Sequence, residues 1–236
     1  MQPWFIWHNV DSRAMGVWVS ELPPPTRAAE RVEEKTVPGR AGSLTVKEGE
    51  DAHEGYTKEC RITAPYTADF AALLDWLRGD GEVIFSNEPD RVYTAHLAAQ
   101  VQFTRISNSL KQATIPFYVH PHKGQTPPES DITVNESTTI YNPGNVASKP
   151  IITLTFTETA TARIGAFTVT LTHEPAEGET AAEETVTIDC DAELVTQDGE
   201  IWEGSMTGDF PRLEPGSNEI VLTDCTAVIK PRWRWC

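Results

Sequence analysis

Basic residues are scarce in this sequence. Nineteen Lys and Arg stand against thirty-five Asp and Glu, a formal net charge of −16 over 236 residues. The field of such a chain repels polyphosphates and anionic lipid, which argues against specific nucleic-acid binding. Cysteines are few and scattered: Cys60, Cys190, Cys225 and Cys236 show neither the close pairs of a zinc site nor the density of a disulfide-stapled fold. Reduced thiols are expected, with a Cys190–Cys225 bridge left open. No stretch approaches eighteen apolar residues, and the start has neither the basic region nor the apolar core of a signal peptide. A cytoplasmic product without membrane insertion is therefore expected.

Catalytic spacings are missing as well. There is no Gly-x-Ser-x-Gly elbow, no His-Glu-x-x-His and no Walker loop, and Gly79 and Gly81 lack the third glycine of a dinucleotide fingerprint. No catalytic, metal or cofactor residue is assigned. Some groupings could still carry chemistry. Asp189, Asp191 and Glu193 alternate along an expected strand and could converge as an acid/base pair or a calcium site; a solvated sheet face explains the same residues and is the preferred reading. His120 and His122 flank Pro121 without a Cys or carboxylate at ligand spacing, and read as linker residues. Arg78-Gly79-Asp80 coincides with a helix end that needs glycine for backbone reasons. Asn135-Glu136-Ser137 is a glycosylation sequon only in a secretory pathway.

What the chain has in quantity is period-two patterning. Tyr93, Ala95, Leu97, Ala99, Val101 and Phe103 are apolar at alternate positions and predict one strand. After Ser107-Asn108-Ser109 the period resumes at Ala113, Ile115, Phe117 and Val119 as the return arm of a hairpin, with Pro116 expected at an edge or bulge. One helix is predicted over 67–78, capped by Thr67, with Phe70, Leu73, Leu74 and Leu77 on its apolar stripe and Gly79 at its end. Residues 27–35 are compatible with a helix or a hairpin arm. The Pro-rich polar stretch His120–Asp131 reads as an interdomain linker. Beyond it, short Thr-rich strands such as 151–156, 167–171, 186–194, 220–222 and 227–229 make a β-sandwich the economical expectation. Residues 151–229 hold two basic side chains, Arg163 and Arg212, against sixteen acids. Seven tryptophans are present, and Trp202 between Glu200 and Glu203 invites comparison with a sugar-stacking platform on an acidic rim, although a core or interface aromatic is the favoured reading.

Taken in order, these segments resemble the distal tail (Dit) proteins of siphophages. In the first half the match runs through Ser12–Val19 with Gly16-Val17, Leu22-Pro23, Val37-Pro38-Gly39-Arg40-x-Gly42, Leu74-x-Trp76-Leu77-x-Gly79-x-Gly81 and Asn87-x-Pro89-Asp90-x-x-Tyr93. In the second it runs through Asn142-x-Gly144-Asn145-x-x-Ser148-x-Pro150, Thr187-Ile188-Asp189, Phe210-Pro211-x-Leu213-x-Pro215-Gly216-x-Asn218 and Trp233-Arg234-Trp235. The resemblance implies a mainly β (α+β) chain. An N-terminal split β-barrel-like domain with one helix would span 1–122, and a C-terminal galectin-like β-sandwich 123–236. It further implies a structural virion protein of the tail tip, or baseplate, that forms a homohexameric ring. Its partners would be the major tail tube protein, a tail-associated lysin or hub protein and, in some phages, receptor-binding proteins. The expected ring interface uses Trp4, Phe5 and Trp7 together with the hairpin residues Pro38, Gly39, Arg40 and Gly42. His120-Pro121-His122 departs from the pattern, where an aromatic is expected after the proline. The rival reading is a carbohydrate-binding module with Trp202, Glu200 and Glu203 against a glycan; a hydrolase using two of Asp189, Asp191 and Glu193 ranks behind it.

Overall fold

The computed structural model describes residues 2–49, 52–173 and 182–236. The chain forms two compact units, Met1–Thr126 with Cys236, and Pro127–Trp235. The protein is mainly β with a single helix, and the first sheet curls into a half-barrel.

In the first unit β1 (Phe5–Trp7), β2 (Val10–Asp11) and β3 (Trp18–Glu21) precede a hairpin of β4 (Val32–Thr36) and β5 (Ser43–Lys47). There follow β6 (Tyr56–Pro65), α1 (Phe70–Trp76), β7 (Asp80–Phe85), β8 (Arg91–Leu97), β9 (Thr104–Arg105) and β10 (Leu110–Gln125). The sheet order is β2-β1-β7-β8-β10-β6-β3, with β9 pairing β10. Alternate residues of β10, namely Ala113, Ile115, Phe117 and Val119, enter the core as the period predicts.

Three expectations need correction here. The strand expected over 93–103 stops at Leu97. Leu97 lies opposite Phe117, so Ala98 falls opposite Pro116. The Ala98 N–H donates to the Pro116 carbonyl at 2.9 Å, but proline has no N–H to return, and the ladder ends there. The helix starts later than predicted because Thr67 belongs to a turn closed by Ala68 N–H on the Pro65 carbonyl. Asp69 is the cap, and its carboxylate accepts from Ala71 and Ala72 N–H at 3.0 and 3.1 Å. The expected linker is strand as far as Gln125, because Lys123, Gly124 and Gln125 pair with Tyr93, Val92 and Arg91 beyond a bulge that absorbs His120-Pro121-His122. Residues 27–35, left open by sequence, lead into β4.

The second unit contains β11 (Ile132–Val134), β12 (Thr138–Asn142), β13 (Ile151–Ile164), β14 (Phe167–Thr172) and β15 (Glu184–Asp189). It continues with β16 (Leu194–Gln197), β17 (Glu200–Ile201), β18 (Ser205–Gly208) and β19 (Gly216–Lys230). The long strands β13 and β19 run through both halves. The first part of β13 lies between β15 and the end of β19. Beyond a register shift between Phe156 and Thr161, its second part lies between β14 and the start of β19. Apolar residues of both halves, among them Ile152, Leu154, Ile164, Val169, Leu171 and Ile188, share one core.

The glycine- and asparagine-rich motifs of this unit close on one another. Asn142, buried, donates its amide N–H to the carbonyls of Val146 and Leu213 at 3.3 and 2.9 Å and accepts from Gly144 N–H at 2.8 Å. Ser148 and Leu213 exchange both backbone hydrogen bonds. Gly144 admits no side chain, since the Arg234 carbonyl occupies the space of a Cβ. Asn218 ties Glu214 and Gly216 in the same manner.

Candidate assembly surfaces

The N-terminal aromatics fall into two classes. Phe5 and Trp7 are fully buried: Phe5 stacks on Trp76 with centroids 5.4 Å apart, and the Trp7 and Trp76 indoles each donate to the other's backbone carbonyl at 3.1 and 3.2 Å. These two residues hold β1 against α1 and offer no surface to a neighbour, so the expected interface loses them. The physical reason is the strand pleat: Phe5 and Trp7 lie two residues apart on one face of β1, and Trp76 of α1 packs on both. Trp4 precedes this strand and stays half-buried, with the Arg13 guanidinium 5.4 Å from its ring centroid.

Pro38, Gly39, Arg40 and Gly42 form the exposed tip of the β4–β5 hairpin, where Gly39 and Gly42 both take φ of +81°. The hairpin is its own two-stranded sheet, and every residue of both strands is exposed. Register sets Val46 opposite Glu33 and Leu44 opposite Lys35. One face therefore carries two aliphatic side chains beside a Glu33–Lys35 ion pair of 3.0 Å. Val32, Val37, Leu44 and Val46 are between 36% and 43% exposed. A lone hairpin is marginal in water, so such a face gains most from being covered. Trp18, 47% exposed on the edge strand β3, is a further surface aromatic of this unit that sequence reading passed over. Its alternation with buried Val17 and Val19 was the available signal.

The chain leading to the hairpin is fastened to the barrel by buried polar groups that the sequence did not announce. Lys58 is almost wholly enclosed. It donates to the Pro24 carbonyl at 2.9 Å and to Glu88 at 3.2 Å, and lies 4.9 Å from the Tyr93 ring centroid. Glu88 also accepts from the Tyr93 hydroxyl at 2.6 Å and from Lys123 at 3.0 Å, while Asn87 donates to the Pro23 carbonyl at 2.8 Å. Burial lowers the Lys58 pKa, with Glu88 opposing it. Burial would raise Glu88, but the Tyr93 and Lys123 hydrogen bonds and both ammonium charges outweigh it, so its carboxyl sits below the usual range.

In the second unit the expected chemistry dissolves into structure. Val186–Leu194 is not one strand: β15 ends at Asp189, and Glu193 takes φ of +54° in the turn, so the three carboxylates do not share a face. Asp189 holds Arg232 through two bonds of 2.9 and 3.0 Å, and Asp191 holds Arg234 at 2.8 Å. Between these arginines Trp233 enters the core, which explains the alternation of the C-terminal motif. Burial alone would raise Asp189 and Asp191; the arginine hydrogen bonds override it and lower both.

A group so depressed contributes stability that is present above its unfolded value and disappears as pH falls through the folded one. Stability of the second unit should therefore drop below about pH 4, and Arg232→Ala should cost about 1–2 kcal/mol at neutral pH and flatten that acid limb. Urea melts at successive pH values provide the measurement. An unchanged acid limb would show that the pair contributes nothing.

Trp202 is only 6% exposed. Its indole N–H donates to Glu184 at 3.2 Å, its ring meets Phe156 edge-on at 6.1 Å, and Glu184 in turn bonds His173. Glu200 and Glu203 are exposed beside it, around a shallow groove of about 270 Å³. The tryptophan face needed for stacking a sugar is thus committed to the core. All four cysteines are thiols outside any disulfide, and burial pushes those of Cys60 and Cys190 up to about 12, which disfavours the reactive thiolate. Among the described residues no three His, Cys, Asp or Glu are gathered to hold a metal, and no helix is long and apolar enough to cross a membrane.

The polar clusters and the buried tryptophans of the two β units thus serve the fold, and the β4–β5 hairpin leaves its aliphatic side chains exposed. Comparison with known proteins gives the family. Residues 16–119 match the phage tail protein RIFT-related domain, and residues 143–235 match the siphovirus-type tail component, C-terminal domain. The chain belongs to the Dit family of siphophage tail components, which is a structural family. Its fold is similar to the crystal structure of SPP1 Dit, described as a paradigm of the hub adsorption apparatus in phages that infect Gram-positive bacteria. That match has a TM-score of 0.71 at 16% identity, over 97% of this chain and 98% of the other. No curated protein matches.

Proposed function

We propose that this chain is the distal tail hub of its phage, a homohexameric ring at the tail tip assembled from chains made in the host cytoplasm. One side of the ring meets the major tail tube protein and the other the tail-associated lysin or hub protein, with room for receptor-binding proteins on the periphery. The first unit serves as the ring-forming domain and the second as the galectin-like sandwich. The observation that carries this reading is the β4–β5 hairpin, a two-stranded arm whose Leu44 and Val46 stay exposed in the single chain. Ring closure requires heterologous contacts, one face of each copy meeting a different face of the next, and a projecting arm supplies one half of such a contact. Trp4 and the tip residues Pro38, Gly39, Arg40 and Gly42 are the remaining interface candidates.

Native mass measurement tests this directly. A species of six times the 26.1 kDa chain is expected, and Leu44→Asp with Val46→Asp should reduce it to the single chain while each unit stays folded. A wild-type chain that remains monomeric at about 100 μM, where even weak specific interfaces are populated, would overturn the ring.

A further inference from the structure

The second unit is strongly anionic, yet one broad face of it is almost free of charge. Residues 127–235 hold nineteen Asp and Glu and six Lys and Arg. Strand register sets Thr133, Val228, Thr153, Thr187, Thr196 and Ile201 side by side, one from each of β11, β19, β13, β15, β16 and β17. Their neighbours in sequence, such as Ile152, Leu154, Val186 and Ile188, fill the core, so this row faces away from it. At ~4.8 Å per strand the row is about 24 Å wide. Among the strand-paired residues of the rows that flank it on the same face, only Lys230 and Asp189 are charged, and Asp189 is already neutralised by Arg232.

The face is also prepared for loss of water. Thr153 and Thr187 hydrogen-bond each other at 3.3 Å, Thr155 and Thr185 do so at 3.2 Å, and Thr196 donates to the Thr187 carbonyl at 3.5 Å. Each of these five hydroxyls keeps at least one hydrogen bond when water leaves, so covering them costs less than covering a charged face, at several kcal/mol per ion. Between them stand exposed aliphatic groups: Val228, Leu194 at 49% and Ile201 at 78%. Asp131, Glu193, Asp198 and Glu200, all exposed, fringe the ends of the face next to β11 and β16–β17.

We propose that this threonine-rich face is the docking surface for a different protein of the tail, one that presents an uncharged aliphatic or β-branched patch rimmed by Lys and Arg. The acidic fringe selects the rim charge. The same fringe and the unit's large net negative charge disfavour a second copy of this chain as the occupant. The inference goes beyond the ring reading and requires only that the chain is a tail component.

The test compares the purified chain with intact tails of the phage that encodes it. Hydroxyl-radical oxidation of Leu194, Val228 and Ile201 in the unsubstituted chain should fall at least about fivefold in tails, as expected for side chains buried in an interface core. A benzophenone placed at position 201 should cross-link in tails to a polypeptide other than this one. Ile201→Lys should be incorporated at least about tenfold less than wild type in competition, and Ile201→Val equally well, with both free chains melting as wild type. Unchanged oxidation in tails, or a cross-link to a second copy, would overturn the proposal.

Discussion

Glu88→Ala is expected to destabilise the first unit by about 3–5 kcal/mol, more than any other single surface or half-buried substitution in it. The carboxylate is the common partner of Lys58, Lys123 and the Tyr93 hydroxyl. Without it two ammonium groups remain in a site where Lys58 is almost wholly enclosed and Lys123 has only 11% of its side chain exposed. Losing a buried partner costs more than the pair contributes, because the remaining charge must stay uncompensated or give up its proton. The deficit should shrink at alkaline pH, since burial holds the Lys58 pKa below its ordinary 10.5 and the buried ammonium gives up its proton there. Hydrogen exchange across β6, β8 and β10 would read the effect locally. A Glu88→Ala chain protected like wild type at pH 7 would mean that water or another group solvates Lys58 without help. The consequence extends beyond stability: Lys58 and Asn87 hold the Pro23-Pro24 segment that feeds the hairpin, so a loosened cluster should also weaken any assembly that depends on that arm.

Asn142→Ala should cost about 1–3 kcal/mol in the second unit, because it removes a hydrogen bond from three backbone groups at once. The Val146 carbonyl loses the Asn142 donor and the Gly144 N–H its acceptor, while the Leu213 carbonyl keeps only its bond from Ser148 N–H. Further along the same loop, Ser148→Ala should be neutral or slightly stabilising, although both side chains are buried and polar. The Ser148 hydroxyl has no partner among the described residues, and the residue's role is carried by its backbone pairing with Leu213, which alanine preserves. The pair of variants, compared by urea denaturation, separates a side chain that closes the knot from one that merely occupies it. Equal costs for the two would refute this division of labour.

Much of the strand content was legible because it rests on a local quantity, the alternation of apolar residues. Ala113, Ile115, Phe117 and Val119 point inward for the reason their spacing gave, and Gly79 indeed takes φ of +77° after the helix. Tyr93 to Phe103 shows where that reasoning stops. The period continues past Leu97, but the strand needs a partner able to exchange hydrogen bonds, and Pro116 opposite Ala98 cannot. Likewise Asp189, Asp191 and Glu193 alternate in sequence yet separate in space, because a turn and two C-terminal arginines intervene.

By itself the amino-acid order determined which segments extend, where turns must fall, the acidic balance and, through the sequence of its turn motifs, the family. Only the tertiary structure decided which tryptophans are surface and which are core, since Trp4 and Trp7 differ by burial and not by composition. It alone also decided that Lys58, Glu88 and Lys123 share one enclosed cluster and that six threonine, valine and isoleucine side chains from separate strands line one face. Local preference acts over a few residues along the chain, whereas burial and register are settled between strands whose positions in sequence are up to roughly a hundred residues apart.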